Sequence, residues 1–271
     1  MKYRVYTQTE KSKSASHKTN EDRCLFSEYS FMEDQKIQLL IVADGMGGLE
    51  EGEKASMNAI KGFSKAFYEM MVEKYINADI ENFSMSYFAD EMREIVRKAI
   101  CMANEEVCGR AALFEQTGTT LSVVCVVDRY AIVANVGDSP VYFYRAKTGK
   151  LKLVSELQTQ AEAEVKSGYY ERYSAEYYAN DHRLYNSLGQ YTELDIEDIA
   201  CKDIGGLDKG DIFLIGSDGA FGRMQEYEIR ELIGDCSLDD EGFVLSQLFE
   251  LARIDKNDDQ TAILYVVDSE E

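Results

Sequence analysis

The sequence predicts an α+β protein whose strands pair mainly in antiparallel fashion. Strand-like runs, two long helical segments, further strands, two helices and a final strand follow one another, unlike the regular alternation of parallel α/β proteins. Asp128-Arg129 separates two strand-like runs so closely that a hairpin is predicted. Pro140 is the single proline and the 19 glycines are scattered, so no linker divides the chain. We therefore expect one domain over residues 1–271.

Strands are predicted where short runs are rich in Val, Ile, Tyr and Phe. These runs are Tyr3–Thr9, Asp22–Tyr29, Ile37–Ala43, Thr119–Val127, Ala131–Val136, Val141–Arg145, Ile212–Ile215 and Ala262–Val267. Helices are predicted where apolar residues recur at three- and four-residue spacing, as Ala55, Ala59 and Phe63 do. The helical segments run from about Glu53 to Tyr75, from about Tyr87 to Leu113, over Glu226–Ile233 and over Gly242–Arg253.

The segment 156–190 differs from the rest of the chain. It is polar and rich in tyrosine, with ERYSAEYYANDH at its centre. A connection of this length is more often a functional loop than a plain link between elements. We therefore expect a flap-like insertion on the surface.

The composition excludes several classes of function. The formal net charge of −21 opposes binding to nucleic acid. It also opposes binding of phosphorylated substrates, unless bound cations reverse the local charge. Six cysteines without a C-x-x-C pair and only two histidines make a zinc site improbable and indicate reduced thiols. Because the N-terminus lacks an apolar signal core and no apolar run could span a bilayer, a cytoplasmic protein is expected.

Acidic residues stand at the ends of several predicted strands. They are Glu21 and Asp22, Asp44, Asp138, Asp218, and the pair Asp258 and Asp259. Some follow a strand and others precede one, so in an antiparallel sheet they can lie along one edge. Converging carboxylates repel one another unless cations lie between them, and hard oxygen ligands suit Mg²⁺ or Mn²⁺. A metal site is predicted at this edge.

Glycine follows aspartate at Asp44-Gly45 and at Asp218-Gly219, which allows the backbone to turn sharply beside an ion. Each dipeptide alone is equally typical of an ordinary turn. Their repetition beside apolar strands favours the metal site.

The ordered set of motifs resembles the metal-dependent protein phosphatases, the type 2C serine/threonine phosphatases of the PPM family, and in particular their bacterial members. The matching motifs are Asn20-Glu21-Asp22, Val42-Ala43-Asp44-Gly45-Met46-Gly47-Gly48, Gly118-Thr119-Thr120, Asn135-Val136-Gly137-Asp138-Ser139, Ser217-Asp218-Gly219 and Asp258-Asp259-Gln260-Thr261. The resemblance implies a four-layer α-β-β-α sandwich, in which two antiparallel sheets are flanked by helices.

The resemblance also implies a centre of two Mn²⁺ or Mg²⁺ ions, with a possible third. Asp44 would bridge the two ions, and Asp218 and Asp258 would complete one of the sites. The carbonyl of Gly45 would face the other ion, with Glu21 and Asp22 acting directly or through water. Asp138 would share the third ion with Asp218. Thr261 fixes the register of the last motif and selects Asp258 rather than Asp259 as the ligand.

The activity implied by the resemblance is hydrolysis of phosphoserine or phosphothreonine in proteins. A bridging water activated by the two metals would attack phosphorus in line, without a protein nucleophile. The implied partners are a phosphorylated protein substrate and a cognate serine/threonine kinase, and a monomer is expected.

The motifs depart from the family at the position of its usual phosphate-binding arginine. His17 stands there, followed by Lys18. Histidine binds phosphate less well than a bidentate guanidinium, so either lysine replaces it or affinity is low, and His17 is equally compatible with a solvated loop residue. Two alternatives therefore stay open: a catalytically weak or inactive binding module, and a phosphatase for a small phosphate ester.

Overall fold

The structure is a computed structural model, and it describes residues 1–14, 18–32, 35–47, 51–76, 85–110, 117–234, 241–255 and 257–269. Within these residues, two antiparallel five-stranded sheets form the centre of the molecule. Helices cover the outer face of each sheet. The predicted α-β-β-α sandwich is therefore confirmed.

Sheet I contains β1 (Lys2–Glu10), β8 (Val141–Arg145), β9 (Lys150–Leu153), β11 (Ile212–Gly216) and β12 (Gln260–Ser269). Its strands lie in the order β1-β12-β11-β8-β9. Sheet II contains β2 (Arg23–Met32), β3 (Gln35–Ala43), β6 (Leu121–Val127), β7 (Tyr130–Val136) and β10 (Ala200–Gly206), in the order β10-β7-β6-β3-β2. A small ribbon pairs β4 (Gly45–Gly47) with β5 (Thr117–Thr119).

Both faces of each sheet are buried, and successive side chains along a strand point alternately to one face and to the other. Along β3, Leu39 and Ile41 face the helices, whereas Leu40 and Val42 face the other sheet. Two long helices, α1 (Gly52–Ile76) and α2 (Met85–Arg110), cover sheet II. Sheet I is covered by α5 (Asp218–Phe221), α6 (Glu226–Gly234) and α7 (Glu241–Asp255).

The register of the strands brings several strand ends to one end of the sandwich. In sheet II, Arg23 at the start of β2 pairs with Ala43 at the end of β3. In sheet I, Gly216 at the end of β11 pairs with Ala262 near the start of β12. We call this the acidic end of the sandwich, because the acidic motifs begin or finish there.

Two differences from the sequence prediction have physical causes. The run predicted as one strand over Thr119–Val127 is divided into β5 and β6 at Thr120, because the amide of Asp44 donates there to the side-chain hydroxyl of Thr120. β10 is not among the predicted strands, because it is an edge strand whose alternation is interrupted by Gly205. The predicted helix end at Leu113 lies outside the described residues.

The segment 156–190 is tied to the body of the protein at several points. It contains α3 (Gln160–Lys166) and α4 (Ala175–Asn180). Leu188 pairs with Thr119, so the segment returns to the small ribbon beside the acidic end. None of the described helices combines the length and the apolar character needed to cross a bilayer.

Candidate metal centre

Asp22 lies at the acidic end and joins the two sheets. Its carboxylate is buried, and its Oδ2 accepts a hydrogen bond from Ser217 Oγ at 2.7 Å. Ser217 immediately follows β11 of sheet I, whereas Asp22 immediately precedes β2 of sheet II. The two motifs, which are 195 residues apart in sequence, therefore meet at this point.

The surroundings of Asp22 oppose its negative charge. Burial, together with the charges of Asp259 and Asp218, raises the pKa of Asp22 to about 7, although hydroxyl donors from Ser217 and Thr261 act in the other direction. Asp22 Oδ1 is buried without a hydrogen-bond partner among the described residues. A cation near this oxygen would satisfy it and would favour the charged carboxylate.

Asp259 has a structural role that the sequence analysis did not anticipate. Its Oδ1 accepts from the amide of Ser12 at 2.7 Å, and its Oδ2 accepts from the amide of Glu21 at 2.8 Å. Asp259 is buried, whereas Asp258 is half-buried. Asp259 therefore fixes the backbone of Glu21 to the start of β12.

Asp44 follows β3 and is held by a pair of buried hydroxyl groups. Its amide donates to Thr120 Oγ1 at 2.9 Å, and that oxygen lies 2.6 Å from Ser139 Oγ. The carbonyl of Asp44 accepts hydrogen bonds from the amide of Thr120 and from the hydroxyl group of Thr119, both in the Gly-Thr-Thr motif. Because Ser139 follows Asp138, the hydroxyl pair links the turns that carry these two acidic residues.

Glu21, Gly45 and Gly52 pack against one another without room for additional atoms. A Cβ atom on Gly52 would lie 2.8–3.0 Å from three atoms of the Glu21 carboxyl group. A Cβ atom on Gly45 would overlap the carbonyl group of Gly52 and would lie 2.7 Å from the carbonyl oxygen of Glu21. The carboxylate of Glu21 therefore lies against the first turn of α1, where the helix dipole favours a negative charge.

Asp218 and Asp258 are carried by adjacent backbone segments. A Cβ atom on Gly219 would lie 3.0 Å from Cβ of Asp258 and would overlap the carbonyl of Asp259. The absence of a side chain at Gly219 therefore permits the Ser-Asp-Gly motif to approach the last acidic motif. The hydroxyl of Ser217 also accepts from the amide of Thr261 at 3.0 Å, which strengthens this junction.

Asp138 lies at the same end, next to the base of the segment 156–190. The preceding Gly137 has φ of 92°, a conformation that favours glycine. Its amide donates to Gln158 Oε1 at 2.8 Å, and its carbonyl accepts from the amide of Gln158 at 3.1 Å. The turn that carries Asp138 is thus fixed to the start of that segment.

The donor set fits a hard divalent cation. It consists of carboxylates and backbone carbonyls, and it includes the buried, unpaired oxygen of Asp22. Across the described parts of the chain, however, no three His, Cys, Asp or Glu side chains already form a cluster that could hold an ion. The predicted ligand roles of Glu21, Asp22, Asp44, Gly45, Asp138, Asp218 and Asp258 therefore stay predictions. His17, the predicted phosphate-binding residue, lies outside the described residues.

Ser217 and Gly52 have no role in the sequence prediction, and Thr261 serves there only to fix the register of the last motif. Ser217 and Thr261 are recognisable in retrospect as hydroxyl residues within the acidic motifs. Nothing in the sequence marks Gly52, because its importance arises from contact with Glu21 across the fold.

Comparison with known proteins shows what the chain is similar to. The sequence profile of the family described as "Protein phosphatase 2C" matches residues 10–233. Protein phosphatase PhpP of Streptococcus pneumoniae is 27% identical over 204 residues, which cover 72% of this chain and 72% of that protein.

Two solved structures extend the comparison over nearly the whole chain. The PPM Ser-Thr phosphatase MsPP from Mycobacterium smegmatis, in complex with cacodylate, has a TM-score of 0.68 and 25% identity, and the match covers 98% of each chain. The catalytic domain of the phosphatase PstP, in complex with two manganese ions, has a TM-score of 0.67 and 21% identity, covering 98% of this chain and 99% of that one. The chain therefore belongs to the protein phosphatase 2C family of serine/threonine protein phosphatases.

Proposed function

We propose that this protein hydrolyses phosphoserine and phosphothreonine in proteins, with Mn²⁺ or Mg²⁺ ions bound at the acidic end. The observation that carries the proposal is the convergence of strand ends from both sheets, joined by the hydrogen bond between Ser217 and Asp22. Motifs from the beginning, middle and end of the sequence meet there. This supports a site for divalent cations, because such a site needs several oxygen ligands close together.

The assignment of ligands is the one that the family resemblance implies. Asp44 would lie between two ions, Asp218 and Asp258 would complete one site, and the carbonyl of Gly45 would face the other. Glu21 and Asp22 would bind directly or through water. Asp138 would share a third ion with Asp218. The two manganese ions bound to the related PstP support a centre of this size.

When bound, the ions would activate a water molecule as the nucleophile and neutralise the oxygens of the phosphate group. The protein residues hold the ligands in place. Ser217 Oγ donates a hydrogen bond to Oδ2 of Asp22, so that Oδ1 remains for a cation or a water molecule. Asp259 fixes the backbone of Glu21, and the hydroxyl pair of Thr120 and Ser139 fixes that of Asp44.

The biological setting follows from the same proposal. A phosphoprotein substrate implies a serine/threonine kinase that supplies it. We propose that the protein acts in the cytoplasm as a monomer.

The proposal predicts metal-dependent turnover that is lost in Asp218→Asn. This change preserves the shape of the side chain but removes the charge that would bind an ion, so we expect kcat to fall by at least about 100-fold. Hydrolysis of an aryl phosphate and of a phosphothreonine peptide should be measured with Mn²⁺, with Mg²⁺ and with a chelator.

Asp208→Asn is the matched control. Asp208 is an exposed aspartate beyond the start of β11, at the opposite end of that strand from Asp218. This variant should retain full activity. Turnover that persists in the chelator and in Asp218→Asn would contradict the mechanism, and binding of Mn²⁺ without turnover would indicate a binding module.

A further inference from the structure

A cavity of about 250 Å³ extends from the acidic end towards the segment 156–190. Asp138 and Asp218 line one end of it. Tyr178 and His182 from the segment and Arg223 from the turn after α5 line the rest, together with apolar side chains. The cavity therefore begins at the proposed catalytic residues and continues beyond them, where the residues of a substrate that flank the phosphorylated one would lie.

The aromatic wall of this cavity is fixed by an ion pair between the half-buried Arg172 and the buried Glu162. Tyr177 is buried, and its hydroxyl donates to Glu162 Oε1 at 2.6 Å. Arg172 pairs with the other oxygen of the same carboxylate and lies over the ring of Tyr173, 6.0 Å from its centroid. Tyr178 packs against Tyr177 at 5.6 Å between ring centroids. The wall is thus preorganised by contacts within the segment.

Arg223 presents a positive charge at this wall. Its guanidinium carbon lies 4.6 Å from the centroid of the Tyr178 ring, which orients the planar group without neutralising it. Among the residues that the structure describes, no carboxylate lies within 4.0 Å of Arg223. This is notable in a chain with a formal net charge of −21.

The carboxylates that line the cavity have other interactions. Glu162 is bound by Arg172 and Tyr177. One oxygen of Asp181 lies 3.7 Å from Nδ1 of His182. Asp138 and Asp218 belong to the proposed metal centre, where cations would neutralise them. The cavity consequently offers one guanidinium group that is available to an anionic group of a ligand.

We propose that Arg223 binds the carboxylate of an acidic residue that neighbours the phosphoserine or phosphothreonine of the substrate. A guanidinium group binds carboxylates through two parallel hydrogen bonds, and stacking on Tyr178 holds it in one orientation. The inference rests on the proposed function and adds a sequence preference to it. Arg223 is a specificity residue, since it acts on the flanking side chain and not on phosphorus.

The test compares three phosphothreonine peptides that carry Glu, Gln or Lys next to the phosphothreonine. The wild-type protein with Mn²⁺ should have the highest kcat/KM for the Glu peptide, mainly through a lower KM. Arg223→Ala should lower kcat/KM for the Glu peptide by about tenfold, while turnover of the Gln peptide and of an aryl phosphate stays within about twofold. Arg223→Lys should recover part of the preference, because it keeps the charge but not the planar geometry.

Arg230→Ala is the control for loss of an exposed arginine. Arg230 lies on α6 outside the cavity, and its Nε donates to the carbonyl of Gly149 at 2.7 Å. This variant should keep the preference for the Glu peptide.

The outcomes separate the inference from the proposed function. Two results would show that the inference is wrong while the phosphatase proposal stands. The first is that the wild type hydrolyses the three peptides equally. The second is that Arg223→Ala reduces turnover of the Gln peptide and the aryl phosphate as strongly as that of the Glu peptide. The second of these results would mean that Arg223 binds the phosphate group itself. If the wild type hydrolyses no substrate with Mn²⁺, the proposed function fails first.

Discussion

At the scale of single residues, Asp22 combines a burial that opposes its charge with a position at the meeting point of the two sheets. Its raised pKa of about 7 means that the carboxyl group without a cation is partly protonated at neutral pH. A bound cation would shift the equilibrium towards the carboxylate. Proton release and metal binding are therefore coupled at this residue.

This coupling predicts how the stability of the metal-free protein depends on pH. In the folded state Asp22 holds its proton up to about pH 7, whereas an unfolded aspartate loses it near pH 3.9. The native state thus binds more protons between these values, and its free energy of unfolding should fall as the pH rises from about 4 to about 7. The loss from Asp22 should be of the order of 2–4 kcal/mol.

The measurement is urea unfolding in the presence of a chelator at several pH values. Asp22→Asn carries no titrating group at this site. Its free energy of unfolding should therefore lack the fall caused by Asp22 and should be higher than that of the wild type at pH 8. Asp208→Asn again serves as the exposed control. A pH dependence that is identical in Asp22→Asn and the wild type would show that other groups are responsible.

Gly52 is a second residue whose role is visible only in the structure. In Gly52→Ala the added methyl group would lie 2.8–3.0 Å from the carboxyl group of Glu21, so that carboxylate must shift away from the first turn of α1. We expect the dissociation constant for Mn²⁺, measured by titration calorimetry, to rise by about tenfold, as is usual when a residue that orients ligands is changed.

Gly109→Ala provides the matched control for Gly52→Ala. Gly109 also lies in a long helix, but a Cβ atom there would meet no other atom within 4 Å. This variant should bind Mn²⁺ as the wild type does. Unchanged affinity in Gly52→Ala would mean that Glu21 takes no part in binding the ion.

At the scale of elements, α3 and α4 depend on one buried carboxylate. Glu162 of α3 is 3% exposed and accepts from both Arg172 and Tyr177. Removing it in Glu162→Ala leaves a guanidinium and a buried hydroxyl without their partner. We expect a loss of about 2–4 kcal/mol in the free energy of unfolding, or faster proteolysis within the segment if it opens locally.

Glu156→Ala is the matched comparison, because it removes an ion pair that is exposed to solvent. Glu156 and Lys166 are both exposed, so breaking their contact should cost less than about 1 kcal/mol. Urea unfolding and limited proteolysis of the two variants would provide the comparison. Equal effects would refute the view that Glu162 holds the segment together.

The elements differ in how far the sequence predicts them. β3 and β12 are predicted closely because both of their faces are buried and their apolar runs are long, with Gln38 as the one polar residue in the run Ile37–Ala43. β10 lies at a sheet edge, has mostly half-buried residues and contains glycines, so its pattern is too weak. The short helices α3 and α4 are capped by the side chains of Thr159 and Ser174, and so short a helix gives no reliable apolar periodicity.

At the scale of the whole molecule, the ordered acidic motifs imply the sandwich fold through their resemblance to the family. Their positions at strand ends predict the end at which the candidate site lies, because antiparallel pairing places the end of one strand beside the start of the next. The cavity could not be predicted in this way. The contact between Arg223 and Tyr178 joins residues in unrelated elements, and no periodicity in the sequence relates them.

The pairing of β1 with β12 has a consequence for synthesis of the protein. β12 lies between β1 and β11, so β1 can pair in its sheet only after β12 has been synthesised. At ordinary rates of translation this delay is roughly ten to fifty seconds. Asp258 lies just before β12, and the nascent chain therefore cannot assemble its acidic end until β12 has been synthesised.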